Sequence, residues 1–462
     1  MAGAGSGPEW EESGAMFKKC LIIGGGPAGT AAAAVYASSG LAASVAVVER
    51  AELGGTCTHR GCVPTKFLLA RGEPQQAPGG PDARAAWTRA LNHKAGLVKG
   101  LGKSIERDLA TRGVEVVRGA ATFIGPNAVE VRSPGGEPVV IEAESIIVAA
   151  GSEPAQLPSA PFDGSSIISS TDALTLDPLP ASLAVVGSGA VGAEFARIFA
   201  RQGVAVTLLE AAERLFPAED PDVDPVFRKV YREMGVAVHT GDPVERVDRQ
   251  PAGGVLLHLR SGAVIGSEKV LVAVGRALNG RTLGCEAAGV RLGARGEVLV
   301  DADLRTSVPH IYAAGDVNGR MLLAHAASCM GRLAALRTLG DPVGAVPYGS
   351  IPWATFSDPE VASVGVGAEA AARAGLQVTT ATAPMMESVK ARIERTTAGF
   401  IKLVVGQPEG RILGATIVGA HASEMIHCLA LAIHQGMTIT DLRSFVFLHP
   451  SISETIGDLV AK

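Results

Sequence analysis

The chain has 462 residues, 47% hydrophobic and 19% charged, so at roughly 150 residues per domain it should fold into about three domains, too large for a small binding module and too apolar for a disordered chain. Lys and Arg total 41 against 46 Asp and Glu, a formal net charge of -5 with no basic block to neutralise a run of phosphates, which argues against a nucleic-acid partner. No stretch approaches the roughly 18 uninterrupted apolar residues of a membrane span, so no membrane association is expected. Glycine (57) and proline (27) recur without a three-residue period, which excludes collagen and predicts many tight turns.

Residues 1–16 hold Glu9, Glu11 and Glu12 and no apolar core of a secretory signal, so they read as a flexible tail of a cytoplasmic protein. The segment Lys18 to Arg50 predicts a buried strand (Cys20 to Ile23), a glycine turn, an alanine-rich helix from about Ala28, and a second strand over Val45 to Val48. The pattern returns from Ser182, with a strand, the turn Gly187-Ser188-Gly189-Ala190-Val191-Gly192, a helix to about Gln202 and a strand over Val204 to Leu209. Two nucleotide-binding βαβ units in one chain are expected. Between them, Val114 to Ile147 alternates as antiparallel strands would, and Ile146 to Gly151 reads as a strand with a glycine exit. Pro74 to Pro81 is the most loop-like internal stretch. The apolar runs Val270 to Gly275 and Ile311 to Asp316 are expected to return to the first sheet. From about Pro347 the chain turns α+β, with strands at Lys402 to Val405 and Arg411 to Gly419 and a helix carrying Ile426, Leu429, Ala430 and Ile433 on one face.

Each glycine fingerprint has a physical purpose. Gly24, Gly26 and Gly29 allow a tight turn, close approach of a pyrophosphate and close helix packing, and Glu49, 25 residues after Gly24, can accept from ribose hydroxyls. Gly187, Gly189 and Gly192 with Glu210 repeat the arrangement, so two dinucleotides are implied. A carboxylate at Glu210 would repel a 2′-phosphate by roughly 1 to 4 kcal/mol at about 4 Å, favouring NAD over NADP, although nearby Arg214 could soften that preference.

Of six cysteines only Cys57 and Cys62 are close, in Cys57-Thr58-His59-Arg60-Gly61-Cys62. Positions five apart in an ideal helix have Cα atoms roughly 8 to 9 Å from each other, beyond the disulfide limit of about 7 Å, so a bond between them needs the first cysteine at a distorted helix start. Gly61 makes such distortion cheaper, and a bond held in a bent frame is easier to reduce. A zinc site and two unlinked thiols stay open as alternatives, zinc being disfavoured because no second Cys or His pair stands at metal spacing. Near the C-terminus, His449 and Glu454 offer a base with a carboxylate partner.

Together these residues resemble the class I pyridine nucleotide-disulfide oxidoreductases over residues 17 to 460. The resemblance rests on the two fingerprints, Gly55-Thr56-Cys57 with Cys62-Val63-Pro64 and Lys66, Val274-Gly275-Arg276, Ala314-Gly315-Asp316, and His449-Pro450 with Glu454. Within the family, Glu210, the run His421 to His427 and the lack of a C-terminal cysteine pair are most similar to the dihydrolipoamide dehydrogenase branch. Phe400 to Val404 is similar to the mercuric ion reductases, but the terminal Val460-Ala461-Lys462 holds no metal-handing cysteine.

The resemblance implies an α/β fold, with two Rossmann-like dinucleotide-binding domains and a C-terminal α+β dimerisation domain. The implied boundaries are 17–151 and 271–346 for FAD, 152–270 for NAD and 347–462 for the dimer interface. It implies a redox-active Cys57–Cys62 disulfide, a Lys66–Glu194 pair beside the flavin, and His449, oriented by Glu454, reaching the disulfide of the opposite subunit of a homodimer. Cofactor contacts are implied at Gly55, Thr56, Gly151, Gly275, Asp316, Ala324 and His325. The implied reaction moves two electrons between a dithiol such as dihydrolipoamide, free or on a carrier domain of a multienzyme complex, and NAD. Alternatives are a mercuric-ion or other disulfide reductase of the same fold, or a structural or sensing flavoprotein. Thr58, His59 and Arg60 depart from the apolar-Asn pattern common in lipoamide enzymes, Ser451 replaces a common threonine, and Ala150 replaces the threonine of an Ala-Thr-Gly turn.

Overall fold

The computed structural model describes residues 16–71 and 81–461. Residues 1–15 of the expected tail and 74–80 of the expected loop lie outside the described residues. Met16, counted with the tail, begins the first strand, where it pairs with Ile141.

The chain forms two compact units, one of residues 16–64, 94–153 and 276–346 and one of 65–71, 81–93, 154–275 and 347–461. In the first, strand β1 (Met16–Ile23) is flanked by β2 (Val45–Glu49) and by β6 (Val139–Val148), both parallel to it. The second half of β1, all of β2 and the last three residues of β6 are buried on both faces, which is why they read as continuous apolar runs. Helix α1 (Pro27–Ser38) crosses from β1 to β2 and packs on the helix Ala324–Thr338 at backbone distance: a Cβ on Gly331 would stand 2.0 Å from the Ala28 carbonyl oxygen. The strand Ile311–Ala313 pairs with β6, as expected of a return to this sheet. Of the strands expected to be antiparallel, β4 (Ala120–Phe123) and β5 (Ala128–Arg132) are so, through β6. The third, β3 (Glu115–Arg118), instead lies parallel beside β2 at the sheet edge, because the long helix α4 (Pro81–Thr111) before it supplies a crossover.

The second unit repeats the plan. Five parallel strands run in the order 237–240, 205–210, 182–186, 269–272, 167–168. The strand Lys269–Val272 therefore belongs here and not to the first sheet; a short apolar strand with a glycine exit carries no mark of which parallel sheet it joins. Helix Ala190–Arg201 packs Phe195 and Phe199 into a core with Trp87, Phe227 and Tyr231. The C-terminal part is a five-stranded antiparallel sheet covered by helix Ala422–His434, whose Ile426, Leu429 and Ala430 are buried as the periodicity predicts. No described helix is long and apolar enough to cross a membrane.

Candidate functional site

The two fingerprints fold alike down to individual hydrogen bonds. Gly24 has φ +109° and a Cβ there would stand 2.3 Å from the Ala149 carbonyl oxygen; Gly187 has φ +102° and would meet the Ala273 carbonyl oxygen at 2.5 Å. At the sixth positions, a Cβ on Gly29 or Gly192 would lie 1.8 Å from the carbonyl oxygen of Gly24 or Gly187. The middle glycines 26 and 189 cap their helices with no side-chain bond, which leaves the first-turn N–H groups open to a phosphate. Each terminal acid is fixed by backbone. Glu49 accepts from the N–H groups of Gly25 (2.7 Å) and Ala51 (2.8 Å), and Glu210 from those of Ser188 (2.8 Å) and Ala212 (2.9 Å). At the middle positions a Cβ would meet nothing nearer than Gly55 Cα at 3.8 Å beside Gly26 and nothing within 4 Å beside Gly189, room that fits the pyrophosphate of a dinucleotide. Arg214 is committed elsewhere, its two Nη atoms donating to Glu369 at 3.2 and 3.0 Å.

In the first unit, Gly54 (φ +103°) and Gly55 (φ +58°) turn the chain into helix α2 (Gly55–Arg60), after which helix α3 (Cys62–Arg71) starts. Cys57 is the third residue of a helix that starts distorted, on the positive-φ Gly54 and Gly55, and a second break lies between the cysteines at Gly61, where a Cβ would sit 3.0 Å from the Thr56 carbonyl oxygen. Cys57 is half-buried within α2 and Cys62 is exposed at the head of α3. Two of the three insert residues turn to the scaffold: Thr58 is buried beneath Gly54, and His59 Nε2 lies 2.8 Å from the Leu53 carbonyl oxygen.

Asp316 follows the positive-φ Gly315 and accepts from Ser152 Oγ at 2.5 Å; Arg276 Nε donates to the same hydroxyl at 2.6 Å and stands 3.6 Å from Asp316. Burial pulls the Arg276 guanidinium below its usual range, against the opposing pull of Asp316. Gly151 (φ +69°) and Gly275 (φ +131°) each have open space where a Cβ would be, and Ala324 and His325 open the helix Ala324–Thr338.

In the second unit, Lys66 Nζ donates to both Glu194 oxygens, at 2.7 and 2.8 Å, with Glu194 almost fully buried and Lys66 about one-third exposed. Lys66 follows Cys62 by one helical turn, so both lie on one side of α3. His449 Nδ1 stands 2.7 Å from Glu454 Oε2, and the imidazole is exposed. The Glu454 N–H donates to Ser451 Oγ (3.1 Å) and the Ser451 N–H to Glu454 Oε1 (3.4 Å), a reciprocal cap on the helix Glu454–Ala461 that orients the carboxylate. Serine thus supplies the hydroxyl that a threonine would.

Sequence reasoning missed Ser152 and Phe356. Ser152 had a usable signal, since it follows the glycine exit of a central strand. Phe356, whose N–H donates to Glu194 Oε1 at 3.0 Å, had none; it lies 162 positions away in a hairpin loop.

Two dinucleotide folds with an antiparallel C-terminal sheet define a two-nucleotide oxidoreductase of the flavoprotein type. Models of the pyridine nucleotide-disulphide oxidoreductase family match residues 18–331, and of its dimerisation domain residues 351–460, and the chain belongs to that family. It is 34% identical to the dihydrolipoyl dehydrogenase of Bacillus subtilis over 95% of this chain and 96% of that one, and 36% identical to that of Chlorobaculum tepidum over 95% of each. Among solved structures it is similar to the HOCl-induced flavoprotein disulfide reductase RclA of Escherichia coli, with TM-score 0.85, 30% identity, and coverage of 96% of this chain and 99% of that one. The protein is accordingly an FAD-dependent enzyme that exchanges electrons between dithiol or disulfide and NAD(H), and its dimerisation domain points to a homodimer.

Proposed function

We propose that the protein is a cytoplasmic, NAD-linked oxidoreductase of dihydrolipoamide dehydrogenase type, working through a reversible disulfide between Cys57 and Cys62. The observation that carries this reading is the placement of the two cysteines on successive short helices broken at Gly61, with Lys66 one turn beyond the second. Gly24, Gly26, Gly29, Gly55, Thr56, Glu49, Lys66, Gly151, Asp316, Ala324 and His325 would hold FAD, and Gly187, Gly189, Gly192, Glu210 and Gly275 would hold NAD. FAD, when bound, supplies a two-electron acceptor that joins thiol chemistry to hydride chemistry.

His449 of the partner subunit takes a proton from one substrate thiol, and the thiolate attacks Cys57 Sγ. The Cys57–Cys62 bond breaks and its electron pair stays on Cys62. The second substrate thiol attacks the substrate sulfur of the mixed disulfide, closing the substrate disulfide, and its proton passes to the departing Cys57, which leaves as a thiol while His449 keeps the first proton. Two electrons then reside on the cysteine pair. Glu454 holds the His449 ring and stabilises its protonated form. The ion pair between Arg214 and Glu369 supports NAD over NADP, because it engages a guanidinium that could otherwise offset the repulsion of a 2′-phosphate by Glu210.

Steady-state assays with NAD and dihydrolipoamide, against NADPH with glutathione disulfide or mercuric ion, test the reading. Turnover is expected with the first set. Turnover only with NADPH, or only with glutathione disulfide or mercuric ion, contradicts it in favour of another reductase of this fold.

A further inference from the structure

The Lys66–Glu194 pair has a third member. Phe356 donates its N–H to Glu194 and presents its ring 4.6 Å from the Lys66 ammonium, so one residue touches both charges. Phe356 opens the hairpin loop between strands Trp353–Thr355 and Glu360–Gly365, where carbonyls have no ladder partner. Arg197 provides the donors: Nη1 lies 3.2 Å from the Phe356 carbonyl oxygen and 3.1 Å from that of Ser357, and Nη2 lies 3.5 Å from Asp358 Oδ2. Arg201 donates to the same carboxylate at 2.5 Å. Glu194, Arg197 and Arg201 fall at i, i+3 and i+7 on the helix Ala190–Arg201, so one helix face grips both the lysine and the loop that frames it.

We propose that Arg197 is a positioning residue for the Lys66–Glu194 pair: by holding the carbonyls of Phe356 and Ser357 it fixes the N–H and the ring that set the direction of both charged groups. The lysine stem is flexible, and two of its N–H bonds go to one carboxylate, so lateral position depends on the ring beside it. The planar guanidinium serves two carbonyls and a carboxylate at once from donors held in fixed directions, which a compact ammonium on a flexible stem does not reproduce. Without Arg197 the loop carbonyls turn to water, the Phe356 N–H leaves Glu194, and the ammonium shifts. The helix begins on the second glycine fingerprint, so the same rigid element carries a nucleotide cradle and the lysine clamp.

This inference rests on the reading of Lys66 and Glu194 as a flavin contact, and a double-mutant cycle in the FAD-loaded dimer tests the two separately. Lys66→Met, Arg197→Met and the double variant are compared by the midpoint potential of the bound flavin, hydrogen exchange at the Phe356 amide, and thermal midpoint. Arg197→Met is expected to move the potential in the same direction as Lys66→Met but less, and to move it no further in the Lys66→Met background. Exchange at Phe356 should quicken about tenfold, and flavin reduction by NADH should slow by roughly 3- to 10-fold with little change in KM for NADH. Equal shifts in both backgrounds, or a lowered thermal midpoint with an unmoved potential, overturn the proposal alone. An unmoved potential in Lys66→Met overturns the flavin contact and the proposal with it. If Arg197→Met does not retain FAD, Arg197→Lys, which keeps the charge and loses the fork, carries the same comparison.

Discussion

Six cysteines share one chain, and burial separates their chemistry. Desolvation pushes the Cys20 thiol up to about 12 and the Cys285 thiol up to about 11, while Cys62 stands exposed at a helix head. A thiol titrating near 12 is only about one part in ten thousand thiolate at pH 8, and the thiolate is what reacts. In the reduced native dimer, iodoacetamide should label Cys57, the sulfur that meets substrate, within minutes and leave Cys20 and Cys285 untouched until denaturant is added, as peptide mapping would record. Glu454 has two duties at this scale, holding the His449 ring and capping a helix through Ser451. Glu454→Gln keeps the cap and loses the charge, so kcat for dithiol oxidation should fall about 10- to 100-fold while flavin content and the rate of reduction by NADH stay unchanged. Equal loss in both half-reactions would deny the carboxylate its assigned place.

At the scale of elements, the duplicated fingerprints make matched substitutions informative. Gly29→Ala and Gly192→Ala introduce the same 1.8 Å overlap in two separate cradles. The first should yield protein without flavin; the second should keep its flavin but be reduced by NADH at least about a hundredfold more slowly, with dithionite reduction unaffected. The glycines and acids of these cradles were legible in the sequence because tight turns and close helix packing admit few residue types. Cys57 and Cys62 were legible as a near pair, and Gly61 as the residue that eases a bend beside them; where the bend falls was not, since it depends on backbone angles that residue type leaves open. The strand Lys269–Val272 was read as a strand and put in the wrong sheet, because pairing partners 86 positions apart leave no trace in local periodicity. Phe356 and Arg197 were silent for the same reason: their value lies in contacts across 162 and 159 positions.

For the whole molecule, the proposal places His449 of one subunit at the cysteines of the other. Heterodimers of a Cys62→Ser subunit with a His449→Ala subunit then contain one doubly damaged site and one intact site. About half of wild-type activity per heterodimer should return, about a quarter over a randomly exchanged mixture of the two inactive parents, whereas sites built within single subunits would restore none. The claim beneath all of this is that Cys57 and Cys62 carry the electrons. Its most direct test is differential alkylation of the air-oxidised FAD-loaded dimer before and after anaerobic addition of NADH, with the modified peptides mapped by mass spectrometry. Two new thiols per subunit, at 57 and 62 and nowhere else, are predicted; an unchanged pattern after the flavin has been reduced would contradict the account.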